Sequence, residues 1–516
     1  MSSTSAISAI PSSAALWRRT GYAVVLLAVM GWAAACKDSD IPFLTAPTSV
    51  APNPDGITNA VTGLFGASRI DIANVAGTIQ TVAAGFSRDG AIFNNADATL
   101  LQFSLGVFPP PAFESGIWAQ EYTNIRQAQQ VLSTIPNVTP SYSAPQAAAI
   151  AGVAQTLEAY NYMLVAEAHD TLGLAILPSA LTAAQVAPAV CLSDAWAYIV
   201  ALLDSANTAL NAAAAVPPPL KIPPGFGGVS HASGPGSTVG SFASFNRALA
   251  AKANLELAYA IARGPGGAPA TPAAPGSPDP AALATALADL EGSAMWDTSA
   301  LAPTSAGGFT ADAHTVTFDF SASSGDLVNP IQGSIGTEAQ LNDFIADVDT
   351  ANDLRFKAKF ILNPNPIQLP LYNVVASKYL YFMSPTPASP IPITRNEELT
   401  LVAAQIELGM GNVAQAIALA NMVRTKVGGL PPAAVPANYV AARDFLMKEQ
   451  RISTTWEASA DRTIAIRMYG LAAVADTTWL REDPSITTGD PHTTVMPIPS
   501  SEVNGRGGSF TTTCSR

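Results

Sequence analysis

The sequence predicts an all-α protein in which helix pairs pack against a loop-rich, irregular half. Apolar residues recur at helical spacing in most of the long segments. Segments rich in Pro, Gly and Ser, at 214–241 and 264–280, separate these helices. In an α/β protein, buried strands would lie between the helices. One short stretch, 315–320, alternates apolar and polar residues like a strand. The chain therefore has helices as its main elements and long special loops between them.

The helical pattern predicts the elements in order. Residues 145–169 show it most strongly, because Leu157, Tyr162 and Val165 crowd one face and Pro178 lies beyond as a breaker. The proline-rich stretch 360–393 is predicted to be irregular or edge-stranded. The predicted helices begin near Asp55 and cover 114–135, 145–169, 193–213, 244–262, 281–292, 396–409, 412–427 and 438–468.

Several helix pairs have the Ala-rich look of tetratricopeptide units. Gly409, Ala416 and Ala420 stand where such a repeat needs small residues for close helix crossing. The alternative is a set of unrelated packed helices. We expect tetratricopeptide-like pairs.

The N-terminus has the pattern of a bacterial lipoprotein signal peptide. Arg18 and Arg19 precede an uncharged apolar run, and small residues at 33–35 lead directly to Cys36. The run is shorter than the roughly 20 residues of a membrane span, so cleavage before Cys36 is favoured. We expect a signal peptide at 1–35, lipid attachment at Cys36, a flexible tether at 36–54 and one domain at 55–516. The alternatives are an uncleaved anchor or a chance Cys in an Ala-rich segment.

Charge and cysteine content narrow the class of protein. The formal net charge is −13 with few, scattered cations, which argues against a nucleic-acid partner because little would neutralise phosphates. Besides Cys36, the chain has Cys191 and Cys514, and an exported location permits them to form a disulfide. The alternative is two unpaired thiols, but a cysteine in a polar tail has little packing reason to exist.

The segment 86–97 is the best candidate for a ligand site. It interrupts two helices with aromatic, amide and charged side chains, which stack on sugar rings and bind hydroxyl groups, whereas a plain connector needs none of them. Trp296 is a second candidate, although a core position is an equal alternative. The irregular 296–320 region adds Phe318 and Phe320 as aromatic candidates. The predicted ligand-binding residues are Phe86, Arg88, Asp89, Phe93, Asn94, Asn95 and Trp296.

No catalytic or metal-binding motif stands out. The four histidines are widely spaced, and the chain lacks H-E-x-x-H, G-x-S-x-G, a phosphate-binding loop and C-x-x-C. A pair of acids for glycoside hydrolysis is the open alternative. Its candidates are Asp89 with Asp97, or Asp347, Asp349 and Asp353, for which solvated loop acids and helix caps are the simpler interpretation. We expect no enzyme, no cofactor and no metal.

Four sequence blocks resemble the SusD/RagB family of outer-membrane nutrient-uptake lipoproteins. The first is 118–129, with Trp118, Tyr122 and Ile125 in place and Gln129 where Asn is usual. The second is 155–178, a helix with Ala159 and a turn at 170–173 before the exit at Pro178.

The third and fourth blocks carry more charge. The third has Arg395 and Glu398, then Arg424 within 421–430, and is the most specific block. The fourth has Glu449-Gln450-Arg451, Glu457 and Asp461-Arg462, followed by Pro497-Ile498-Pro499; it departs from the family pattern between 457 and 462. Charges in such apolar helical contexts usually pair with one another, so we expect most of them to be scaffold.

The resemblance covers essentially the whole mature chain and implies a function. A protein of this family is expected at the outer membrane, lipid-anchored and facing the cell exterior, where it binds a glycan or peptide nutrient. Its implied partner is a SusC-type TonB-dependent transporter, over which it acts as a lid. The alternatives are a tetratricopeptide-like scaffold lipoprotein that binds proteins and a surface glycan hydrolase.

Overall fold

The structure is a computed structural model of the chain. It describes residues 50–73, 79, 85–92, 116–138, 141–178, 186–214, 219–226, 241–264, 278–304, 314–322, 326–329, 338–340, 342–365, 368–369, 374–375, 378–381, 386–457, 461–471 and 495–515. The expected signal peptide, Cys36 and most of the tether lie outside these residues. Residues Pro47–Arg516 form one compact unit.

Helices dominate the architecture, as the sequence predicts. The longer ones are α1 Pro54–Ala73, α2 Gly116–Val138, α3 Ala144–His169, α4 Leu192–Ala212, α5 Phe242–Arg263, α6 Pro280–Glu291, α9 Asn396–Gly409, α10 Val413–Met422 and α11 Tyr439–Thr454. Shorter helices are α7 Asn342–Asp347, α8 Leu354–Lys359, α12 Asp461–Met468 and α13 Ser500–Gly505.

Helices that follow one another in sequence pack against one another. Contacts run from α2 to α3, α4, α5 and α6 in turn, and α9 packs on α10 and α11. Gly409 permits a close approach, since a Cβ there would lie 2.9 Å from Cδ1 of Leu283 on α6. Ala416 and Ala420 are also buried. Gly409 therefore stands at a close helix crossing, and the two alanines lie in the core.

Local signals define several helix starts. Ser143 accepts a hydrogen bond from the Gln146 amide, and the Gln146 side chain accepts one from the Ser143 amide, which is a capping box. Asp279 and Asn438 cap α6 and α11 in the same way through one side-chain oxygen each.

The strands are short and antiparallel. They are β1 Gly90–Ile92, β2 Leu174–Ala175, β3 Ala189–Val190, β4 Thr315–Phe318, β5 Glu338–Gln340, β6 Phe360–Leu362, β7 Gln368–Leu369, β8 Val374–Val375, β9 Tyr379–Tyr381 and β10 Ile391–Arg395. One sheet has the order β1-β5-β9-β6, with Gly90 opposite Gln340 and Phe360 opposite Tyr381. The pairs β2-β3, β4-β10 and β7-β8 stand separately.

Two predicted helices differ from the observed ones. The segment predicted as one helix over 438–468 is divided into α11 and α12, and Trp456 between them has a left-handed φ of 60° with its side chain buried. The segment predicted as a helix over 412–427 leaves α geometry at Met422 and continues as a π-helical turn, Val423–Val427. No Gly or Pro marks either change in the sequence, so local pattern could not predict them.

An aromatic cluster fills the core between α1, α5 and β4. The rings of Phe65 and Phe226 lie 5.0 Å apart, and those of Phe226 and Phe318 lie 5.7 Å apart. Phe318 and Phe320 are buried. Their expected place on a ligand-binding surface is therefore wrong, because the apolar face of β4 is covered by helices.

The C-terminal segment is fastened to the β2-β3 hairpin. The Thr513 amide donates to the carbonyl of Ala189, and the Cys191 amide donates to the carbonyl of Thr513, each near 3 Å. Cys191 and Cys514 form a disulfide with their Cα atoms 5.3 Å apart. In the described part of the chain, no helix is both long and apolar enough to cross a membrane.

Candidate functional site

The first part of the predicted ligand loop lies in the interior. Phe86 is 1% exposed, Arg88 1% and Asp89 2%. A helical turn ends at Phe86, and Arg88 has a left-handed φ of 57°, which directs the chain into β1. The three side chains therefore face the core and offer no surface to a ligand.

Two arginines from distant helices hold this segment. Nε of Arg451 on α11 and Nη1 of Arg462 on α12 each lie 2.7 Å from Oδ1 of Asp89. Arg451 also donates to the carbonyl of Arg88 over 3.0 Å, and Arg462 donates to the carbonyl of Ser87. Residues 87–89 are thus clamped through both side-chain and backbone oxygens.

The clamp corrects the expected roles of Arg88 and Asp89. The Asp89 carboxylate serves the scaffold, because removing it would leave two buried guanidinium charges without their shared counter-charge. Phe86 is likewise packed, with the guanidinium of Arg467 5.9 Å from its ring centroid. Their burial does not support a role as direct ligand contacts. The geometry makes them residues that position the start of β1.

Phe93, Asn94 and Asn95 follow Ile92 directly in the sequence and lie outside the described residues. Their role as ligand contacts stays a prediction. What the structure adds is that the chain enters this segment from β1, whose first residue, Gly90, immediately follows the clamped Asp89.

Trp296 lies half-buried in a turn between α6 and β4. The turn is fixed to the start of α9, because the Asp297 amide donates to Asn396 Oδ1 over 3.0 Å and Asn396 Nδ2 donates to the Asp297 carbonyl over 2.7 Å. The indole Nε1 is buried and has no hydrogen-bond partner among the described residues, so it is not open to a ligand. The exposed part of the ring, on a turn held by two hydrogen bonds, keeps Trp296 a candidate for stacking.

The charged residues of the third and fourth sequence blocks meet in one buried network. Arg395 contacts Glu457 through two nitrogens, at 2.7 and 2.9 Å, and Lys359 approaches the same carboxylate at 2.7 Å. Arg355 bridges Asp353 and Glu449, each at 2.7 Å. This confirms the expectation that most of these charges serve the scaffold.

A second cluster joins α5, α9 and α12. Lys252 lies 2.6 Å from Glu398 and 2.9 Å from Asp461. Burial opposes the charge of Lys252, but the two carboxylates raise its pKa well above the usual range. Burial and repulsion by Asp461 raise the pKa of Glu398. The cluster fixes the relative position of three helices.

A small cavity lies beside this cluster, between α3, α5, α9 and α12. Its polar lining includes Glu167, Lys252, Glu256 and Gln405, and its volume of about 10 Å³ has room for roughly one water molecule. Burial raises the pKa of Glu256 well above its usual range. The cavity is far too small for a sugar ring, so it is no nutrient site.

The acids considered for hydrolysis are also engaged in structure. Asp353 is buried against Arg355, and Asp347 lies 2.7 Å from Arg451. Asp349 accepts the Asn352 amide in an exposed turn. Asp97 lies outside the described residues. Among the described residues, no cluster of His, Cys, Asp and Glu has the geometry to hold a metal ion.

Several solved structures have a fold similar to that of this chain. A surface glycan-binding protein A from Bacteroides uniformis matches with a TM-score of 0.61 at 13% identity, over 88% of this chain and 98% of that one. The corresponding protein from Bacteroides fluxus matches with 0.59 at 13% identity, over 88% and 97%. A SusD superfamily protein from Bacteroides thetaiotaomicron matches with 0.60 at 12% identity, over 88% and 98%.

The chain has the SusD fold. The likeness spans 97–98% of each of these structures and 88% of this chain. No protein-family model and no curated protein sequence matches the chain. The SusD resemblance of the four sequence blocks is supported at the level of the fold.

The SusD fold also shows what the sequence interpretation missed. The role of Arg451 and Arg462 as the clamp on residues 87–89 was not foreseen, although both belong to the fourth block. The only sequence signal is that both arginines lie on helices with buried apolar residues, and a buried arginine needs a carboxylate partner. Which carboxylate the two arginines bind depends on contacts between residues more than 360 positions apart in the sequence.

Proposed function

We propose that this chain is a surface lipoprotein that binds an extracellular glycan or peptide and passes it to a SusC-type TonB-dependent outer-membrane transporter. The observation that carries the proposal is the SusD fold, which two proteins named surface glycan-binding protein A match over 88% of this chain. The lipoprotein signal pattern ending at Cys36 supports placement at a membrane surface.

The proposed contacts lie in two places. Phe93 offers a stacking platform, with Asn94 and Asn95 as hydrogen-bond partners, on the chain that leaves the clamped strand β1. Trp296 offers a second, half-buried ring on the turn between α6 and β4 that is hydrogen-bonded to the start of α9. Aromatic rings flanked by amides bind sugars through stacking and hydroxyl hydrogen bonds, which suits both places.

Binding without catalysis fits the described acids. Asp89, Asp347 and Asp353 are each paired with an arginine, so none of them is poised as a general acid next to a second free carboxylate. Incubation with a bound polysaccharide should leave its chain length unchanged, and shortening of the polymer would contradict this part of the proposal.

Calorimetry with a panel of polysaccharides and peptides tests the binding role. We expect Phe93→Ala and Trp296→Ala each to weaken binding at least about tenfold, since stacked aromatic and hydrogen-bonded contacts are worth roughly 1.5 kcal/mol or more. Tyr198→Ala, a half-buried ring on α4, is the matched control and should keep full affinity. Full affinity in both site variants would reject these contacts.

Purification from membranes tests the hand-off. Tagged chain extracted in mild detergent from its native cells should bring with it a TonB-dependent transporter, identified by mass spectrometry. A chain that binds ligand but recovers no such transporter would leave the binding role standing and reject the transfer step.

A further inference from the structure

We infer that the ion cluster between α3, α5, α9 and α12 holds two protons in the folded protein at neutral pH, one on Glu256 and one between Glu398 and Asp461. Alkaline solution removes these protons and thereby loosens α12. The cluster is a pH-sensitive device in the scaffold, separate from the ligand contacts proposed above. A cavity, a hydrogen bond between two carboxyl groups and an excess of acids over cations point to it.

Acids and cations from the four helices, and from the turn after α3, meet at and beside the small cavity. Lys252 lies 2.6 Å from Glu398 and 2.9 Å from Asp461. Arg263 holds Asp170 through two nitrogens, at 2.7 and 2.8 Å. The acids of the cluster are Glu167, Asp170, Glu256, Glu398 and Asp461, and its cations are Lys252, Arg263 and Arg467.

The five acids of the cluster outnumber its three cations by two. Arg263 is engaged with Asp170, and Lys252 serves two carboxyl groups at once. Arg467 donates to the backbone carbonyl of Glu167. If every carboxyl group were ionised, two negative charges would therefore lack a counter-charge at a site with little access to solvent. A carboxyl group in that position takes up a proton instead.

Geometry places one of the two protons between Glu398 and Asp461. These two carboxyl groups hydrogen-bond to each other while both contact Lys252. Ionised carboxylates only accept hydrogen bonds, so one of the pair carries a proton. Burial and the charge of Asp461 raise the pKa of Glu398, which agrees with a shared proton.

The second proton belongs to Glu256, which is half-buried and lines the cavity. Burial first, and then repulsion by Glu167 and Asp170, raise its pKa well above the usual range. Arg263 and Arg467 oppose this rise but do not cancel it. The cavity has room for roughly one water molecule, which can accept a hydrogen bond from the protonated carboxyl group.

The charged groups described beside the cluster are used elsewhere. Arg395 donates its backbone amide to Glu398, but its guanidinium holds Glu457 at 2.7 and 2.9 Å. The guanidinium of Arg462 reaches Asp89 at 2.7 Å. These two arginines therefore do not replace the missing counter-charges.

Two titratable rings near the cluster are neutral. Burial lowers the pKa of His169 to about 4. Burial raises the pKa of Tyr469, which hydrogen-bonds to Gln405 at the cavity, well above its usual range. Neither ring adds a charge between about pH 5 and pH 9.

The neighbouring ion network is balanced and provides the control. Its cations are Arg355, Lys359, Arg395 and Arg424, and its acids are Asp353, Glu397, Glu449 and Glu457. Four cations thus meet four acids, and this network needs no added proton.

Retained protons make the stability depend on pH in a defined direction. Above about pH 4.3 an unfolded glutamate is ionised, so each proton retained by the folded state lowers the folding equilibrium constant up to about tenfold per pH unit. As the protons leave, negative charges on α5, α9 and α12 repel one another. α12 is the shortest of these helices and carries Arg462, so its loosening also weakens the clamp on Asp89.

Urea unfolding of the full chain from about pH 5 to about pH 8 tests the two protons. We expect the folding constants of Glu256→Gln and Glu398→Gln, each divided by that of the wild type, to rise at least about tenfold over this range, because an amide never ionises. Glu449→Gln of the balanced network is the matched control, and its ratio should lie below one and not rise with pH. A flat ratio for either cluster variant overturns the assignment of two protons.

Infrared spectroscopy detects the protons without relying on stability. The Glu158→Gln chain is measured in heavy water at about pH 7, since Glu158 would add a proton of its own. We expect a band from protonated carboxyl groups that Glu256→Gln and Glu398→Gln each reduce by about half. A band that either change leaves intact overturns the assignment. Absence of the band overturns it even if neither cluster variant folds.

Hydrogen exchange tests the loosening of α12. At about pH 9, the amides of α12 should exchange at least about tenfold faster in the wild type than in the double variant with Glu256→Gln and Glu398→Gln. Amides of α4, which carries no residue of the cluster, should exchange alike in the two proteins. Equal exchange of α12 in both proteins, or a matching acceleration of α4, would overturn the loosening of this helix.

Discussion

Arg451 donates from Nε to Oδ1 of Asp89 over 2.7 Å and so joins residues 362 positions apart in the chain. Arg451 is completely buried and Asp89 is 2% exposed. Nη1 of the same guanidinium lies 2.7 Å from Oδ2 of Asp347. The Cζ atom of Arg451 lies 5.5 Å from the ring centroid of Phe344. Together with the bond from Arg451 to the Arg88 carbonyl, the pair ties the start of β1 to α11.

We expect Asp89→Asn to lower the free energy of unfolding by about 3–5 kcal/mol, because two buried arginines lose their shared counter-charge. The measurement is urea unfolding followed by tryptophan fluorescence. Asp326→Asn is the matched control: its ion pair with Arg69 is 2.7 Å long but the carboxylate is 43% exposed, so the loss should stay below about 1 kcal/mol. Equal unfolding midpoints in the two variants would contradict the clamp.

Local sequence determines some parts of the fold, and tertiary contacts such as the Arg451–Asp89 pair determine others. The helix predicted over 145–169 is observed as Ala144–His169, since a capping box and a periodic apolar face define it locally. The helix predicted over 438–468 is interrupted after Thr454, since a left-handed Trp456 bends the chain so that Glu457 reaches Arg395 and Lys359. That bend is determined by tertiary ion pairs, which a helical pattern does not contain.

The candidate site illustrates the same limit. Arg88 and Asp89 were expected at a ligand surface because their segment interrupts two helices with aromatic, amide and charged side chains that a plain connector does not need. Their burial follows from Arg451 and Arg462, whose positions depend on the packing of α11 and α12. By contrast, the expectation that Arg395, Glu398 and Glu449 would pair needed only their apolar surroundings, and the structure confirms it.

Glu158 gives a prediction for the dependence of stability on pH. Burial raises its pKa to about 7, against a hydrogen bond from Gln129 and the charge of Arg126, which lower it. Between about pH 4.5 and 7, the folded state therefore holds a proton on Glu158 that the unfolded state has lost. Because of this residue, the free energy of unfolding falls as the pH rises through that window.

We expect Glu158→Gln to match wild-type stability near pH 4.5 and to exceed it by up to about 3 kcal/mol above pH 7, because the amide mimics the neutral acid and never ionises. Thermal unfolding across this pH range is the measurement. Glu291→Gln, an exposed change at the end of α6, should show no such trend. A stability difference that does not vary with pH would contradict a buried, protonated Glu158.

His169 should behave in the opposite sense. Its Nδ1 lies 3.0 Å from the carbonyl of Met496, its ring meets the edge of Trp118, and burial lowers its pKa to about 4. Because the carbonyl can only accept, the neutral ring carries its proton on Nδ1. The unfolded state binds the extra proton between about pH 6.5 and 4, so the stability from neutral His169 is complete above pH 6.5 and is lost as the pH falls through this range.

Nuclear magnetic resonance of the histidine rings tests this directly, since the chain has four histidines. We expect one resonance, assigned by its loss in His169→Asn, to titrate near pH 4 while the protein remains folded. Titration of that ring near pH 6.5 would show that it is solvated and would reject the buried contact with Met496.

The lipid anchor is predicted from the sequence alone. Small residues adjoin Cys36 after an apolar run, and acyl chains on that thiol would hold the protein at the membrane, each buried CH₂ contributing about 0.8 kcal/mol. We expect Cys36→Ala to abolish incorporation of labelled fatty acid and to release the protein from the membrane fraction or leave its precursor unprocessed. Cys514→Ser is the control and should label normally. Unchanged labelling and fractionation of Cys36→Ala would reject the anchor.

The disulfide predicts how the C-terminal segment responds to reduction. Cys191 and Cys514 are 323 residues apart in sequence, so their bond closes a long loop and restricts the unfolded chain. We expect Cys514→Ser to lose about 2–4 kcal/mol of stability, and reductant to lower the wild-type unfolding midpoint to the same value while leaving the variant unaffected. Alkylation of the mature lipidated protein without reductant should add no label by intact mass. Two added labels, or a reductant effect that persists in Cys514→Ser, would show that the thiols of the exported protein are not paired with each other.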